Sequence, residues 1–258
     1  MNLEITDKVG LVTGAAQGVG AATARSFVRE GARVVLLDRD AVAGAKLAAE
    51  LGAAALFVAC DIAVGAQVAA AVVQAAQHWG RLDFLVNNAG IQTYGTVTET
   101  DEAVWDRTMN VNLKGAFLCA HHALPHILRA GGGVVVNVAS VQAFMSQANV
   151  AAYVTSKTAM LGLTRSIAVD YAPTVRCVAV CPGSVDTPMW RGGVQQSPDP
   201  AVVIAECEAM HLAGRVAQPA EIADFIVFLC SGRAQFITGQ AYRIDGGLGV
   251  EIAGSKRS

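Results

Sequence analysis

The chain has 258 residues, 53% hydrophobic and 16% charged, with a formal net charge of −2. This length suits one large α/β unit with a two-sided core, and near-neutral charge leaves no footprint for nucleic acid or an anionic membrane. No apolar run reaches membrane-spanning length, the start Met-Asn-Leu-Glu-Ile-Thr-Asp has no secretion-type apolar stretch, and six scattered cysteines without C-x-x-C pairs read as small core residues in a reducing cytoplasm.

In chain order, Val9, Leu11 and Val12 read as a short buried strand that turns through Gly14, Gly18 and Gly20 into a helix carrying Val19, Ala22 and Phe27. Strand, glycine-rich turn and helix place free backbone N–H groups and a helix N-terminus where a pyrophosphate can sit, and a Cβ at the glycines would hold the ligand off. A second strand, Arg33 to Leu37, follows Gly31 and ends at Asp38, eighteen residues after Gly20. In a dinucleotide fold a carboxylate there accepts hydrogen bonds from the adenosine ribose hydroxyls and repels a 2′-phosphate, which favours NAD over NADP. Arg39 is discounted because Asp38 holds the closer position.

Helices are expected at Val42 to Leu51 and Val64 to Trp79, and strands at Ala55 to Ala59 and Leu82 to Val86. A long helix is expected from about Glu102 to Arg129, then a strand at Val134 to Val138, a helix at Val150 to Tyr171 and a strand at Val175 to Val180. Residues 184–200, rich in Gly, Pro, Ser and Gln, read as the start of a mobile substrate loop extending to about 211. Helices at Ala201 to His211 and Ala220 to Cys230 and a strand at Ala241 to Ile244 complete the chain. Near-continuous apolar strands alternating with helices predict a single doubly wound, Rossmann-type α/β domain over residues 1–258, with a seven-stranded parallel sheet covered on both faces. His122 and His126 are spaced i,i+4, but Pro125 lies between them and no carboxylate follows at ligand spacing, so no metal site is assigned.

A second constellation lies further along. Ser140 follows the fifth strand, at the edge where open α/β sheets bind ligands. Tyr153 and Lys157, spaced i,i+4, share one helix face. A phenol of pKa about 10 is a poor base near neutrality. Bringing it to about 7 takes roughly 4 kcal/mol, more than a screened surface pair provides. The expectation is that a partly desolvated Lys157, together with the positive ring of oxidised nicotinamide, lowers it.

Taken together and in this order, these motifs resemble the short-chain dehydrogenase/reductase family, in its branch of roughly 250 residues, over nearly the whole chain. The resemblance implies a nicotinamide cofactor held by the turn Gly14, Gln17, Gly18, Val19 and Gly20, by Asp38, and by Asp61 and Ile62 at the adenine. It further implies contacts from Asn88, Ala89 and Gly90, from Pro182, Gly183, Val185 and Thr187 at the nicotinamide, and from Tyr153 and Lys157. Asn112, Ser140, Tyr153 and Lys157 match the family's catalytic four. Tyr153 would exchange the alcohol proton, Lys157 would lower its pKa and hold the ribose, Ser140 would position the substrate oxygen, and Asn112 would carry a water linking Lys157 to solvent. A homotetramer is implied as well, consistent with the broad apolar spread of Ile222, Phe225, Ile226, Phe228 and Leu229.

Substrate contacts are expected from Gln92, Tyr94, Gln142, Gln147, Asn149, Met189 and Trp190, with His211 a further candidate. Several amides and one indole suit a sugar or polyol. The alternative is a more hydrophobic ketone or cyclic alcohol. A non-catalytic dinucleotide sensor would not need all four catalytic matches, and a nucleotide-sugar epimerase or dehydratase would carry a larger region after Asp245-Gly246-Gly247.

Overall fold

The computed structural model describes residues 3–250. Seven strands form one sheet in the order β3-β2-β1-β4-β5-β6-β7, each neighbouring pair parallel. They are β1 (Val9–Thr13), β2 (Arg33–Asp38), β3 (Ala55–Ala59), β4 (Phe84–Asn87), β5 (Gly133–Val138), β6 (Val175–Pro182) and β7 (Ala241–Ile244). The apolar runs are continuous because both faces are covered, and side chains alternate between the two layers. Val34 and Leu36 point to the layer holding Phe27, Ile222 and Ile226. Val35 and Leu37 point to the opposite layer, with Val68, Leu124 and Ile127.

The first layer is built by α1 (Gly18–Arg29), α2 (Ala41–Leu51) and α9 (Pro219–Cys230), the second by α3 (Gly65–His78), α5 (Gly115–Arg129) and α6 (Ala151–Tyr171). The chain winds outward from β1 through β2 to β3, then crosses to β4 on the other side of β1. That reversal opens a crevice beyond the carboxyl ends of β1 and β4, the usual ligand position in such sheets. Among the described residues, no helix is long and apolar enough to cross a membrane.

Two expectations are corrected. The helix expected from Glu102 to Arg129 is divided into α4 (Glu102–Met109), a π-helical turn at Asn110–Lys114, and α5. Such wide turns recur at functional sites, and this one sets Asn112 fully inside the protein. The expected loop at 184–200 contains a helix, α7 (Pro188–Gln195), whereas the helix expected at Ala201 to His211 is present as α8 (Pro200–Ala209). Thr187 caps α7 by accepting the Trp190 N–H, and Asp199 caps α8 by accepting the Val202 N–H. Proline at the first helical position completes each start, since its missing N–H costs nothing there.

Candidate active site

A cleft of about 840 Å³ opens at the topological reversal and runs from the glycine turn to α8. At one end, Gly14 and Gly18 take positive φ of 62° and 56°. A Cβ on Gly20 would lie 2.1 Å from the Gly14 carbonyl oxygen, so the turn can wrap onto α1 only with glycine there. The turn is braced from β4. Asn88 donates from Nδ2 to the carbonyls of Thr13 and Gly14 at 2.9 and 3.1 Å, while the Thr13 hydroxyl accepts the N–H groups of Asn88 and Ala89, both at 3.0 Å. Behind it, Asn87 donates to Asn137 Oδ1, and Asn137 donates to Thr164 Oγ1, each at 2.9 Å. Through these two amides β4, β5 and α6 share one buried polar strut.

Asp38 ends β2 at the cleft wall, and its carboxylate accepts the Ala16 N–H at 2.9 Å and the Asp40 N–H at 3.0 Å. Asp61 also lines the cleft; its Oδ1 accepts the Ala63 N–H at 2.9 Å.

At the centre of the cleft, α6 presents Tyr153 and Lys157 on its buried face, opposite Ser140 at the end of β5. Ser140 Oγ accepts the Gln142 N–H at 3.1 Å, and the same hydroxyl makes a hydrogen bond that favours the Tyr153 phenolate. Lys157 donates from Nζ to the Val138 carbonyl at 2.8 Å, with Nζ 5.8 Å from the Tyr153 ring centre. Asn112 lies behind this group. Its Nδ2 donates to the Ile91 carbonyl and Ser156 Oγ, and its Oδ1 accepts the Ile91 N–H. Gly90 separates Asn112 from Lys157, since a Cβ there would lie 3.3 Å from Asn112 Oδ1 and 3.4 Å from Lys157 Nζ.

Burial dominates the ionisation of both groups. The enclosed Tyr153 phenol is pushed up to about 12, and the Lys157 ammonium is pushed down to about 8. In the protein alone desolvation outweighs every partner of the phenol, Ser140 is the group that lowers it, and the ammonium is turned onto the Val138 carbonyl.

The family model described as enoyl-(acyl carrier protein) reductase matches residues 14–249. A cis-4-hydroxycyclohexanecarboxylate dehydrogenase from Sinomonas cyclohexanicum is 41% identical over 96% of this chain and 98% of its own. The chain belongs to the short-chain dehydrogenase/reductase family. Two solved structures superpose closely. The ligand-free aldohexose dehydrogenase of Thermoplasma acidophilum has a TM-score of 0.92 and 38% identity, covering 98% of each chain. A 3-ketoacyl-(acyl-carrier-protein) reductase from Brucella melitensis, complexed with NADH, has a TM-score of 0.88 and 35% identity, covering 95% of this chain and 99% of its own. This short-chain dehydrogenase/reductase is therefore an oxidoreductase acting on alcohol groups, in a family that binds a nicotinamide cofactor.

The remaining residues singled out from the sequence divide by position. Gln17, Val19, Ile62, Pro182, Gly183, Val185 and Thr187 line the cleft. Gln92, Tyr94, Gln142, Gln147, Met189 and Trp190 line it as well. Gln142 donates from Nε2 to Gln147 Oε1 at 3.3 Å, while its own Oε1 is buried without a partner.

Two candidates fall elsewhere. Asn149 does not line the cleft; it holds a left-handed backbone with φ of 59°, and its carbonyl accepts the Gly95 N–H at 2.8 Å. An asparagine tolerates that conformation better than most residues, and this accounts for its presence. His211 is 4% exposed and also lies outside the cleft lining.

Sequence reasoning missed Val203, Glu206, Cys207 and Met210 on and just beyond α8, and Leu248 after β7. The four α8 positions follow i, i+3, i+4, i+7 spacing, so they share one face. The segment Pro200–Ala209 is apolar around most of its circumference, so nothing in the pattern marked that face.

Proposed function

We propose that this protein is an NAD-dependent dehydrogenase that oxidises a secondary or anomeric hydroxyl on a small, neutral, polyhydroxylated ring or polyol. The observation that carries the substrate reading is the set of amide side chains on the cleft wall, among them Gln142, two residues from Ser140. Substrate hydroxyls pair with such amides, and covering one without a partner costs about 1–3 kcal/mol. Gln92, Gln147 and Gln196 line the cleft as well, as do Met145, Met189, Trp190 and Leu248. An amide edge against an apolar wall suits a ring with hydroxyls on its rim and a C–H face.

The turn from Gly14 to Gly20, with no room for a Cβ at Gly20, fits a pyrophosphate, and Asp38 at the end of β2 fits a ribose diol. Bound there, oxidised nicotinamide would supply the hydride acceptor and a positive charge near the phenol. In oxidation Tyr153 takes the hydroxyl proton, and in reduction it returns it. Ser140 holds the substrate oxygen and offers the hydrogen bond that favours phenolate. Lys157, charged at neutral pH and fixed on the Val138 carbonyl, holds the nicotinamide ribose and keeps a positive charge behind the tyrosine. Asn112 joins the Ile91 backbone to Ser156 and so keeps α6 in place, with a water at its backbone as the route from Lys157 to solvent.

A second reading, a cyclic alcohol or more hydrophobic ketone, is favoured by the apolar wall and by the resemblance to the cyclohexane-ring dehydrogenase. A carboxylated ring is the poorer fit. The charged residues lining the cleft are Asp38, Arg39, Asp61, Lys157 and Glu206, and of these the alcohol side carries Glu206, an anion. We also propose a cytoplasmic homotetramer. Phe117 on α5, Val169 on α6 and Phe236 before β7 are 49%, 79% and 105% exposed in the single chain, and light scattering at micromolar concentration tests the assembly, a monomer refuting it. The activity is tested by reduced-nicotinamide absorbance with NAD or NADP across hexoses, polyols, cyclic alcohols and hydroxycyclohexanecarboxylates. Turnover of a hydrophobic ketone a hundredfold better than any sugar or polyol would overturn the substrate reading.

A further inference from the structure

His211 follows α8 and is buried where three segments meet. One is the end of β6 at Gly183 and Ser184, another is α8 itself, and the third is the turn after β7 at Asp245 and Gly246. The Ser184 N–H reaches His211 Nε2 at 3.1 Å, and His211 Nδ1 faces the Cys207 carbonyl. A backbone N–H only donates and a carbonyl only accepts, so Nε2 must offer its lone pair and Nδ1 must carry the proton. Both ring nitrogens are thus committed in one neutral tautomer, and neither is free for substrate.

The packing around the ring is equally committed. A Cβ on Gly183 would lie 2.7 Å from His211 Nε2 and 3.0 Å from the Asp245 Cα. The residue at 183 must therefore be glycine for the imidazole to reach the Ser184 amide. On the other side, the Gly214 N–H donates to the His211 carbonyl at 2.8 Å, and the Ala213 N–H donates to the Gly246 carbonyl at 3.0 Å. Cys207, whose carbonyl the imidazole holds, lines the alcohol half of the cleft. Gly183 and Ser184 line the stretch assigned above to the nicotinamide.

We propose that His211 is a positioning residue: its imidazole bridges the Ser184 amide and the Cys207 carbonyl, locking the wall of the alcohol site to the nicotinamide segment. The bridge joins the two halves of the cleft through a single rigid ring. It rests on the reading of the cleft as a dinucleotide and alcohol site. Its consequence is that cofactor affinity and alcohol KM respond separately to the two ring nitrogens.

Three variants separate them. In His211→Gln the side-chain oxygen reaches the position of Nε2 and still accepts the Ser184 N–H, while the bond to Cys207 is lost. His211→Asn keeps a donor at the position of Nδ1 and leaves the Ser184 amide unpaired. His211→Ala removes both. We measure the NADH dissociation constant by nicotinamide fluorescence, alcohol KM and kcat by steady-state kinetics, and exchange of the Ser184 amide by hydrogen–deuterium mass spectrometry without cofactor.

Each lost neutral hydrogen bond corresponds to about a two- to tenfold change. His211→Asn should weaken NADH by that factor and expose the Ser184 amide, with alcohol KM held. His211→Gln should keep NADH affinity and Ser184 protection near wild type, and raise alcohol KM. His211→Ala should show both defects. Wild-type NADH affinity and KM in all three variants overturns the proposal, whether or not melting temperature falls, because a merely structural histidine would give that result. A Ser184 amide as protected in His211→Ala as in wild type overturns it too. If the wild type binds neither NADH nor NADPH, the cofactor reading fails and this proposal fails with it; NADH binding with indistinguishable variants removes this proposal alone.

Discussion

Replacing Lys157 with methionine asks how much the site depends on a buried charge. Burial moves the ammonium from its ordinary 10.5 to about 8, so keeping it charged at pH 7 costs the folded state about 3 kcal/mol. That shift is already net for the ammonium, so what methionine additionally loses is the neutral amine's bond from Nζ to the Val138 carbonyl at 2.8 Å, worth about 0.5–1.5 kcal/mol. Methionine keeps the apolar stem in place and removes both effects. Lys157→Met should therefore be within about 2 kcal/mol of wild type at pH 7, while losing activity. The sign of the pH dependence follows from proton counts. Between about pH 8 and 10.5 the unfolded chain holds the Lys157 proton and the folded protein has released it, so wild-type stability rises with pH relative to the variant. Below about pH 8 both states hold the proton and the penalty stays constant. Urea unfolding of both proteins from pH 7 to 10, followed by circular dichroism, gives the difference curve, in which all other titrations cancel. It should rise by about 2–3 kcal/mol between pH 8 and 10. A flat curve, or a loss above about 3 kcal/mol in Lys157→Met at pH 7, would refute the reasoning.

Three further outcomes are expected. Tyr153→Phe should leave the NADH dissociation constant nearly unchanged and lower kcat at least about a hundredfold; retention of more than a tenth of wild-type turnover would remove Tyr153 as the proton-exchanging group. The wild type should prefer NAD, and Asp38→Ala should narrow the gap to NADP while weakening NAD, because the Ala16 and Asp40 N–H groups lose their acceptor; equal kcat/KM for both cofactors in the wild type would give that position to Arg39. Gln142→Ala should raise KM for the preferred polyhydroxylated substrate by about five- to a hundredfold, the equivalent of one buried unpaired polar group, without changing NADH affinity in a fluorescence titration; an unchanged KM would show that Gln142 does not face the substrate.

Local spacing made the glycine-turn end and the centre of the cleft legible. Three glycines after a short strand, a carboxylate at the end of the next and an i,i+4 Tyr/Lys pair each report backbone geometry within one element, and the sheet carried them to one crevice. The same logic fails for properties set by neighbours distant in sequence. The Tyr153 phenol is governed by its enclosure, a property of the whole fold that proximity to Lys157 along α6 does not report. Asn149 looked like one amide among several, whereas its positive φ comes from a backbone bond to Gly95. At 187–195 the helix start Thr187-Pro188 was present in the sequence, but a composition rich in glycine and glutamine outweighed it. His211 was read as a ligand group because its two backbone partners, Ser184 and Cys207, become neighbours only after α8 folds back on β6.

The two halves of the cleft are therefore held by different means. At the glycine-turn end, Asn88 bonds to the backbone of β1 and of the turn, Asp38 to the turn, and Thr13 to the backbone after β4, close to the centre of the sheet, so a shift there would break several bonds at once. The alcohol side is carried on α7 and α8, and α8 has no fully buried residue. It is fastened at a few points: the Thr187 cap, the paired hydrogen bonds of Arg191 to Asp186 at 2.6 and 2.8 Å, and the imidazole of His211. Few fastenings mean a low free energy for local opening, so the wall formed by α7 and α8 opens at lower cost than the sheet end of the cleft, and the His211 bridge is one of the bonds that opposes it. They also mean that side chains on α7 and α8 can change without disturbing the sheet. Relatives of similar overall identity that bear the names of a cyclohexanol-ring dehydrogenase and an aldohexose dehydrogenase are what such a division would produce.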